Sequence, residues 1–226
     1  GIRARRIAAD NEFCSDLAAK AAERAMAMAG VTADQIDLII VATITPDMPF
    51  PSTACLVQHK IGAKRAAAFD LEAACSGFIY ALEVGQQFIM SRTSECVLVI
   101  GAEKLSSIMD WKDRTTCVLF GDGAGAIVLE AKDVAEDGPG ILASRLHAEG
   151  AHKDMLYVDG GPSTTGTVGK LRMKGREVFR HAVVNLADVL REVLEETGMN
   201  AADIDWLVPH QANARILDAT ARKLDL

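Results

Sequence analysis

The chain has 226 residues, half of them hydrophobic, and a formal net charge of −7. This composition predicts a globular protein and argues against nucleic acid as a bulk partner. The five cysteines form no C-x-x-C pair, so they indicate neither a disulfide framework nor a zinc site and fit a reducing cytoplasm. No apolar run reaches the ~18 residues that span a bilayer, so neither a membrane segment nor a signal peptide is predicted.

The first third of the chain alternates predicted helices and strands. Apolar residues in the segment 15–29 share one helical face, and Gly30 marks the end of this helix. The unbroken apolar stretch 38–44 is typical of a strand buried on both faces of a parallel sheet. Ser52 can cap a short helix that ends at Gly62. This alternation predicts an α/β fold.

Cys75 lies where a predicted strand, residues 66–71, is followed by a helical pattern over residues 77–90. The unpaired amides and the helix dipole at such a junction can lower the pKa of a thiol below about 8.5 and can hold a developing oxyanion. The small residues Ser76 and Gly77 leave room for an acyl group. We interpret Cys75 as a nucleophile, and the alternative is a small buried hydrophobic residue.

The glycine-rich stretch 121–126 (GDGAGA) satisfies the dinucleotide pattern G-x-G-x-x-G/A. That pattern indicates a nucleotide site only where it opens a helix after a strand. Here an apolar Ile-Val-Leu follows at once, which is typical of another strand. The sequence therefore predicts a tight turn between two extended segments and disfavours a nucleotide site.

Residues 132–140 are charged and rich in turn-forming residues, so they predict a linker between a segment 1–131 and a segment 141–226. Beyond the linker, residues 141–146 are predicted as a strand. A long helix with its apolar residues largely on one side follows and ends at Gly198.

An internal repeat aligns residues 30–40 with residues 198–208 without gaps. Each copy predicts a helix, a glycine stop, a short acidic connector and a buried strand, so we expect two related α/β halves. His210 would lie just past the carboxyl end of the second strand, where α/β sheets bind ligands, and Cys75 lies just past another such end. This shared edge favours a catalytic pair over a satisfied polar histidine. The other histidines are interpreted as surface or structural: His59, His147, His152 and His181.

Three motifs occur in a fixed order: LEAACSGF around Cys75, GDGAGA, and PHQAN at residues 209–213. Together with the opening GIRARR they resemble the β-ketoacyl-acyl-carrier-protein synthase III family of condensing enzymes over nearly the whole chain. The resemblance implies an α/β thiolase-like fold of two duplicated βαβαβ-type halves, here truncated at both ends. The half with the nucleophile would span residues 1–131, and an incomplete half with the histidine would span residues 141–226.

The resemblance also implies the reaction. Cys75 would take an acyl group from acyl-coenzyme A, and malonyl-acyl carrier protein would lose carbon dioxide and condense with that acyl group, which initiates fatty-acid biosynthesis. His210 would polarise the malonyl thioester oxygen. The family needs no metal and no cofactor besides its coenzyme A thioester substrate. Its catalytic asparagine, in a later H-G-N stretch, would lie beyond Leu226.

Three further positions match the family one by one. Arg114 matches an arginine near the coenzyme A adenine, and Asn213 matches a residue that lines the pantetheine tunnel. Phe50 matches a phenylalanine that reaches across a homodimer interface into the partner's acyl pocket, and its alternative role is that of a loop anchor.

Basic residues cluster in the last third of this acidic chain, which suits docking of an acidic partner such as acyl carrier protein. The residues predicted to dock the carrier are Arg180, Arg215 and Lys223. The alternative is an ordinary solvated face.

Other functions remain open at this point. A thiolase, a hydroxymethylglutaryl-coenzyme A synthase or a starter-unit polyketide synthase would share the scaffold. From other classes, a non-catalytic scaffold subunit is disfavoured by the pair of Cys75 and His210, and a nucleotide-binding protein by the strand predicted after GDGAGA.

Overall fold

A computed structural model describes residues 2–133 and 138–224. These residues form two compact units, each with its own secondary structure. The nucleophile unit, named for Cys75, comprises the described residues of Arg6–Ser107 and Gly121–Gly140. The histidine unit, named for His210, comprises the described residues of Gly1–Arg5, Ile108–Phe120 and Ile141–Leu226.

The predicted linker 132–140 falls partly on residues 134–137, which lie outside the described residues. The division of the chain into segments 1–131 and 141–226 stays a prediction.

The nucleophile unit contains a four-stranded mixed sheet with the order β2-β1-β3-β4. The strand β1 is parallel to both of its neighbours, and β4 is antiparallel to β3. The elements in chain order are α1 (Cys14–Ala29), β1 (Leu38–Ala42), α2 (Thr53–Ile61), β2 (Ala67–Leu71), α3 (Gly77–Met90), β3 (Cys96–Lys104) and β4 (Asp122–Glu130).

Helices cover both faces of this sheet, and all five residues of β1 are buried. Ile39 and Val41 pack in a cluster with α1 and α2, whereas Leu38 and Ile40 pack in a second cluster with α3. Alternate side chains of a strand point to opposite faces, so β1 contributes to both halves of the core. The predicted burial of this strand on two sides is confirmed.

Glycines allow α3 to lie close to the sheet. A Cβ atom on Gly77 would lie 3.1 Å from Cβ of Ala42, and one on Gly85 would lie 3.2 Å from side-chain atoms of Val97 and Leu129. Larger residues at these two positions would push the helix away from the strands.

The predicted helix ends are confirmed in the nucleophile unit. Gly30 and Gly62 follow α1 and α2 with φ values of 72° and 75°, a left-handed conformation that glycine adopts at little cost. Ser52 caps α2, because its side chain accepts a hydrogen bond of 3.2 Å from the amide of Cys55. Among the described residues, no helix combines the length and the apolar character needed to cross a membrane.

The tight turn predicted for GDGAGA is wrong. Residues 122–126 belong to β4 and pair antiparallel with β3, with Gly125 opposite Gly101 and Gly123 opposite Glu103. The partner strand extends to Lys104, so the ladder continues through the glycines. The strand expected after the motif is confirmed, and the helix that a dinucleotide site would require is absent from this described stretch.

The histidine unit contains a two-stranded antiparallel hairpin followed by two helices that pack together. Its elements are β5 (Leu156–Val158), β6 (Leu171–Met173), α4 (Gly175–Thr197) and α5 (Ala214–Lys223). The predicted end of α4 at Gly198 is confirmed. The strand predicted at 141–146 is not formed, since no described strand pairs with it, and the sequence analysis missed the hairpin.

The two copies of the internal repeat share their turns and then differ. Gly198 has φ 67°, close to the 72° of Gly30, and a capping box follows each glycine. The first copy continues into β1. In the second copy residues 204–212 form no strand, and Trp206 is 86% exposed. The buried strand predicted there is wrong, because no described strand offers it a backbone partner.

Candidate active site

Cys75 lies at the junction that the sequence predicts. The strand β2 ends at Leu71, a single 3-10 turn spans Ala74–Ser76, and α3 begins at Gly77. The Cys75 residue is exposed on the nucleophile unit. A nucleophile at the end of a parallel strand and at the start of a helix is accessible to a substrate and is held by two rigid elements.

The residue before Cys75 has a strained backbone. Ala74 has φ 45°, in the left-handed region that side-chain-bearing residues rarely adopt. Its amide donates a hydrogen bond of 3.2 Å to the carboxylate of Glu72, which helps to hold this turn. Strained backbone of this kind persists only where the surroundings impose it, and it is concentrated at functional sites.

The amides of this turn are less available than predicted. The amide of Ser76 donates to the carbonyl of Ala73, and that of Gly77 donates to the carbonyl of Ala74. Both are therefore engaged within the turn in this structure. The amide of Cys75 instead contacts its own sulfur.

The pKa of the Cys75 thiol is raised, contrary to the expected lowering. Although the residue is exposed overall, the protein around its sulfur displaces enough water to be the main cause, and the negative charge of Glu103 adds to it. The contact with its own amide lowers the pKa, but by less. The thiol is therefore protonated at neutral pH and needs a base before it can attack.

Glu103 is a component of this site that the sequence analysis missed. Its carboxylate accepts hydrogen bonds from the Thr45 hydroxyl at 2.5 Å, the Ile44 amide at 2.9 Å and the Thr43 hydroxyl at 3.4 Å. Burial raises the pKa of Glu103, and these hydrogen bonds partly offset that effect. The available signal was an acidic residue at the end of an otherwise apolar strand sequence.

The loop that carries Phe50 is fixed at its far end. The carboxylate of Asp70 accepts hydrogen bonds of 2.7 Å from the amides of Thr53 and Ala54, at the start of α2. Phe50 itself is 84% exposed. An aromatic side chain with this exposure has most of its apolar surface available for contact with another molecule.

His210 and Asn213 lie just before α5 in the histidine unit. Burial by the surrounding protein lowers the pKa of His210, although part of the residue is open to solvent. The imidazole is therefore neutral at neutral pH. The Asn213 side chain accepts a hydrogen bond of 3.1 Å from the amide of Ile216 and caps α5, so one of its oxygen lone pairs is already used.

Arg114 is exposed in the segment Ile108–Phe120 of the histidine unit. The turn that carries it is held by Asp113, whose carboxylate accepts hydrogen bonds from the amide and the hydroxyl of Thr115 at 2.9 and 2.6 Å. The guanidinium has no ion pair among the described residues.

The three predicted docking residues are exposed on the helices α4 and α5 of the histidine unit. Arg180 lies on α4, and Arg215 and Lys223 lie on α5. Within the described part of the chain, none of their side chains forms an ion pair. By contrast, Arg172 pairs with Asp110 at 2.8 Å and with Asp159 at 2.7 Å, so it is a structural residue.

The predicted site residues thus fall into two groups. Cys75 and Phe50 lie in the nucleophile unit, and the remaining residues, including His210, lie in the histidine unit. The pairing of Cys75 with His210 stays a prediction. Two open pockets of about 400 and 280 Å³ lie beside the end of α4, and none of the predicted site residues lines either of them.

Comparisons with known proteins agree on one family. Residues 69–150 match the family model described as 3-oxoacyl-[acyl-carrier-protein (ACP)] synthase III, and residues 194–226 match the model of its C-terminal part. A β-ketoacyl-[acyl-carrier-protein] synthase III of Novosphingobium aromaticivorans is 66% identical over all of this chain and 70% of its own length. The β-ketoacyl-[acyl-carrier-protein] synthase III of Rhodospirillum centenum is 60% identical, again over all of this chain and 70% of its own length.

Solved structures give the same result for the fold. The 3-oxoacyl-[acyl-carrier-protein] synthase III of Aquifex aeolicus superposes with a TM-score of 0.90 at 50% identity, over 98% of this chain and 68% of that one. The priming β-ketosynthase of the R1128 polyketide pathway superposes with a TM-score of 0.89 at 37% identity, over 100% of this chain and 68% of that one. The predicted α/β thiolase-like fold is confirmed, and the chain belongs to the β-ketoacyl-[acyl-carrier-protein] synthase III family.

Proposed function

We propose that this chain carries out the decarboxylating condensation of an acyl-coenzyme A primer with malonyl-acyl carrier protein, through an acyl-Cys75 intermediate. The product is 3-oxoacyl-acyl carrier protein, the first elongated intermediate of fatty-acid biosynthesis. The observation that carries the proposal is the placement of Cys75: it is exposed, follows a strained residue, and lies between β2 and α3.

The first step transfers the acyl group. The thiol of Cys75 loses its proton to neutral His210, and the thiolate attacks the thioester carbonyl of acyl-coenzyme A. The tetrahedral intermediate collapses, coenzyme A leaves as a thiolate, and the imidazolium returns the proton to it. The raised pKa of Cys75 and the lowered pKa of His210 support the starting state of this step, a protonated thiol and a neutral imidazole.

The second step forms the carbon–carbon bond. Malonyl-carrier protein loses carbon dioxide, and the electron pair of the broken bond passes to the thioester α-carbon. This carbanion attacks the carbonyl of acyl-Cys75, and the Cys75 thiolate leaves and takes up a proton from solvent, which restores the thiol. Neutral His210 keeps one N–H, which donates to the malonyl thioester oxygen where negative charge develops.

Substrate binding is assigned to the histidine unit. We propose that Arg114 and Asn213 contact coenzyme A and that Arg180, Arg215 and Lys223 dock the acidic carrier protein. The exposure of the four cationic side chains supports the assignment: those of Arg114, Arg180, Arg215 and Lys223. We further propose a cytoplasmic homodimer in which Phe50 enters the partner's acyl pocket, which is supported by its 84% exposure. The reaction as written uses no metal and no cofactor.

A second candidate is the priming step of polyketide synthesis. It is favoured by the likeness to the R1128 priming β-ketosynthase. The chemistry at Cys75 would be the same, and only the carrier protein and the primer would differ.

The test is the intact and peptide mass of the protein after incubation with a panel of acyl-coenzyme A esters. We expect one acyl group on the Cys75 peptide, absent from Cys75→Ser and retained in Cys55→Ser, which removes another exposed thiol. The ester that reacts identifies the primer. Acylation of Cys55 in place of Cys75, or no adduct with any ester, would contradict the proposal.

A further inference from the structure

The histidine unit carries a group of side chains that the proposed reaction does not use. Within residues 2–133 and 138–224, Glu149, His152 and His181 are the group whose ligand atoms all lie within 4.8 Å of one another. Nε2 of His152 is 3.0 Å from Oε1 of Glu149. The imidazole rings of His152 and His181 have their centroids 4.4 Å apart, with 51° between their planes.

The local chain path brings these residues together. Glu149 immediately precedes a short 3-10 turn (Gly150–His152), which ends at His152 and precedes β5, and His181 lies on α4, which follows β6. The hairpin is closed at this end, because the amide of Lys174 donates a hydrogen bond of 2.7 Å to the carbonyl of Met155. The turn before β5 and the start of α4 are therefore neighbours, although the two histidines are 29 positions apart in the sequence.

The donor set has the chemistry of a zinc site. Two imidazoles and one carboxylate are a ligand set that Zn²⁺ uses when a water fills its fourth position. Tetrahedral coordination with bonds of about 2.0–2.1 Å places donor atoms about 3.3 Å apart. Glu149 and His152 are already at 3.0 Å, and a ligand atom of His181 lies within 4.8 Å of both. The His152 side chain is 34% exposed, which leaves an entry path.

An ordinary ion pair explains this cluster less well. A hydrogen bond between Glu149 and His152 accounts for two of the three side chains, but it gives no reason for the ring of His181 to lie 4.4 Å from that of His152. A neutral imidazole offers one lone pair to a cation. A bound divalent cation would satisfy all three side chains at once.

We propose that Glu149, His152 and His181 bind one divalent cation of the zinc type, with water as the fourth ligand, and that the cation ties the turn before β5 to α4. The site takes no part in the condensation.

Binding is tested on the whole chain by equilibrium dialysis with Zn²⁺ and by the visible absorption of Co²⁺. We expect one Zn²⁺ per chain and a tetrahedral Co²⁺ spectrum without a sulfur-to-cobalt charge-transfer band. His152→Gln and His181→Gln should each weaken binding by at least about tenfold, since each removes a ligand. The matched control is His147→Gln, which removes a histidine that pairs with Glu192 outside the cluster.

Thermal unfolding supplies a second readout. Zn²⁺ should raise the Tm of the unaltered chain and of His147→Gln but not that of His181→Gln. Glu149→Gln changes an exposed residue and should also weaken binding, which covers the case of a histidine variant that fails to fold. Binding of Zn²⁺ that is equal in all variants, a sulfur charge-transfer band, or no stoichiometric binding would each overturn the proposal.

Discussion

The carboxylate of Glu103 accepts a hydrogen bond of 2.5 Å from the hydroxyl of Thr45 and thereby joins β3 to the loop that follows β1. This loop lies beside the end of β2, the strand that precedes Cys75. The amide of Thr43 extends the pairing of β1 with β2 by donating a hydrogen bond of 3.2 Å to the carbonyl of Leu71. Glu103 therefore acts as a positioning residue at the edge of the sheet where Cys75 lies, and its charge also opposes formation of the thiolate.

Removing that charge should make Cys75 more acidic. In Glu103→Gln the carboxylate no longer raises the pKa of the thiol, so the pH profile of alkylation by iodoacetamide should move to lower pH. The control Glu23→Gln removes an exposed charge on α1 and should leave the profile in place. An unshifted profile in Glu103→Gln would show that the charge of Glu103 does not affect Cys75.

Relief of the strain at Ala74 should cost activity and not stability. Ala74→Gly removes an unfavourable conformation of about 1–2 kcal/mol, while the added freedom of the unfolded chain costs about 0.5–1 kcal/mol, so the free energy of unfolding should stay equal or rise slightly. The rate of Cys75 acylation should fall, because the turn becomes less restricted. Both quantities are measurable, by denaturant unfolding and by mass spectrometry.

The matched control for that change is Ala73→Gly. Ala73 has φ −151°, where glycine relieves nothing, so this variant should lose about 0.5–1 kcal/mol. Equal losses of stability in the two variants would contradict strain at Ala74.

Overpacking beneath α3 should destabilise the nucleophile unit. Gly85→Val adds methyl groups where even a Cβ would lie 3.2–3.3 Å from Val97, Val99 and Leu129, so we expect a loss of about 1–3 kcal/mol. Gln87→Val places the same β-branched residue on the exposed face of the same helix and should cost well under half of that. Urea unfolding of the two variants separates packing from helix propensity, and equal losses would argue against the close contact.

The ion pairs of Arg172 should stabilise the histidine unit in a pH-dependent way. Hydrogen bonding to Arg172 lowers the pKa of Asp110, and hydrogen bonds from the Lys170 amide and from Arg172 lower that of Asp159. Groups with a lowered folded-state pKa stabilise the fold above the unfolded pKa and lose this effect as the pH falls. Arg172→Met should therefore lower the Tm at pH 7.

That difference in Tm should shrink as the pH falls below the ordinary carboxyl value of 3.8. Arg176→Met, an exposed arginine at the start of α4, should show little effect at either pH. A difference that persists in acid would indicate that Arg172 acts through packing of its side chain.

Charge reversal on α4 and α5 should weaken carrier-protein binding. The triple variant Arg180→Glu, Arg215→Glu and Lys223→Glu should raise KM for malonyl-acyl carrier protein about five- to tenfold, since exposed pairs contribute about 0.2–1 kcal/mol each. The KM for acyl-coenzyme A should be unaffected, and the effect should fade in high salt. Lys64→Glu, on the exposed surface of the nucleophile unit, is the control. An unchanged KM for the carrier protein would contradict docking at these residues.

Features that depend on neighbouring residues in the sequence were predictable. The ends of α1, α2 and α4 follow from Gly30, Gly62 and Gly198, because a left-handed residue closes a helix whatever lies around it. The junction at Cys75 was predictable for the same reason, since an apolar run and a helical period meet there.

Features that depend on distant partners were not predictable. Residues 205–208 have a strand-like sequence but form no strand, because no described strand pairs with them. The glycines of β4 were predicted as a turn, because their antiparallel pairing with β3 cannot be seen locally. Glu103 and the cluster of His152 and His181 were missed, since each acquires its role from residues far away in the chain.

The twin turns after Gly30 and Gly198 lead to very different protection of the backbone. The amides of β1 lie between two hydrogen-bonded strands and beneath two helical layers, so deuterium should enter them only when the whole nucleophile unit opens. The amides of residues 205–208 form no strand hydrogen bonds in the described structure. Their hydrogens should therefore exchange with deuterium within the dead time of a manual experiment. Two stretches that align without gaps and share four of their eleven residues should thus exchange their amide hydrogens at very different rates.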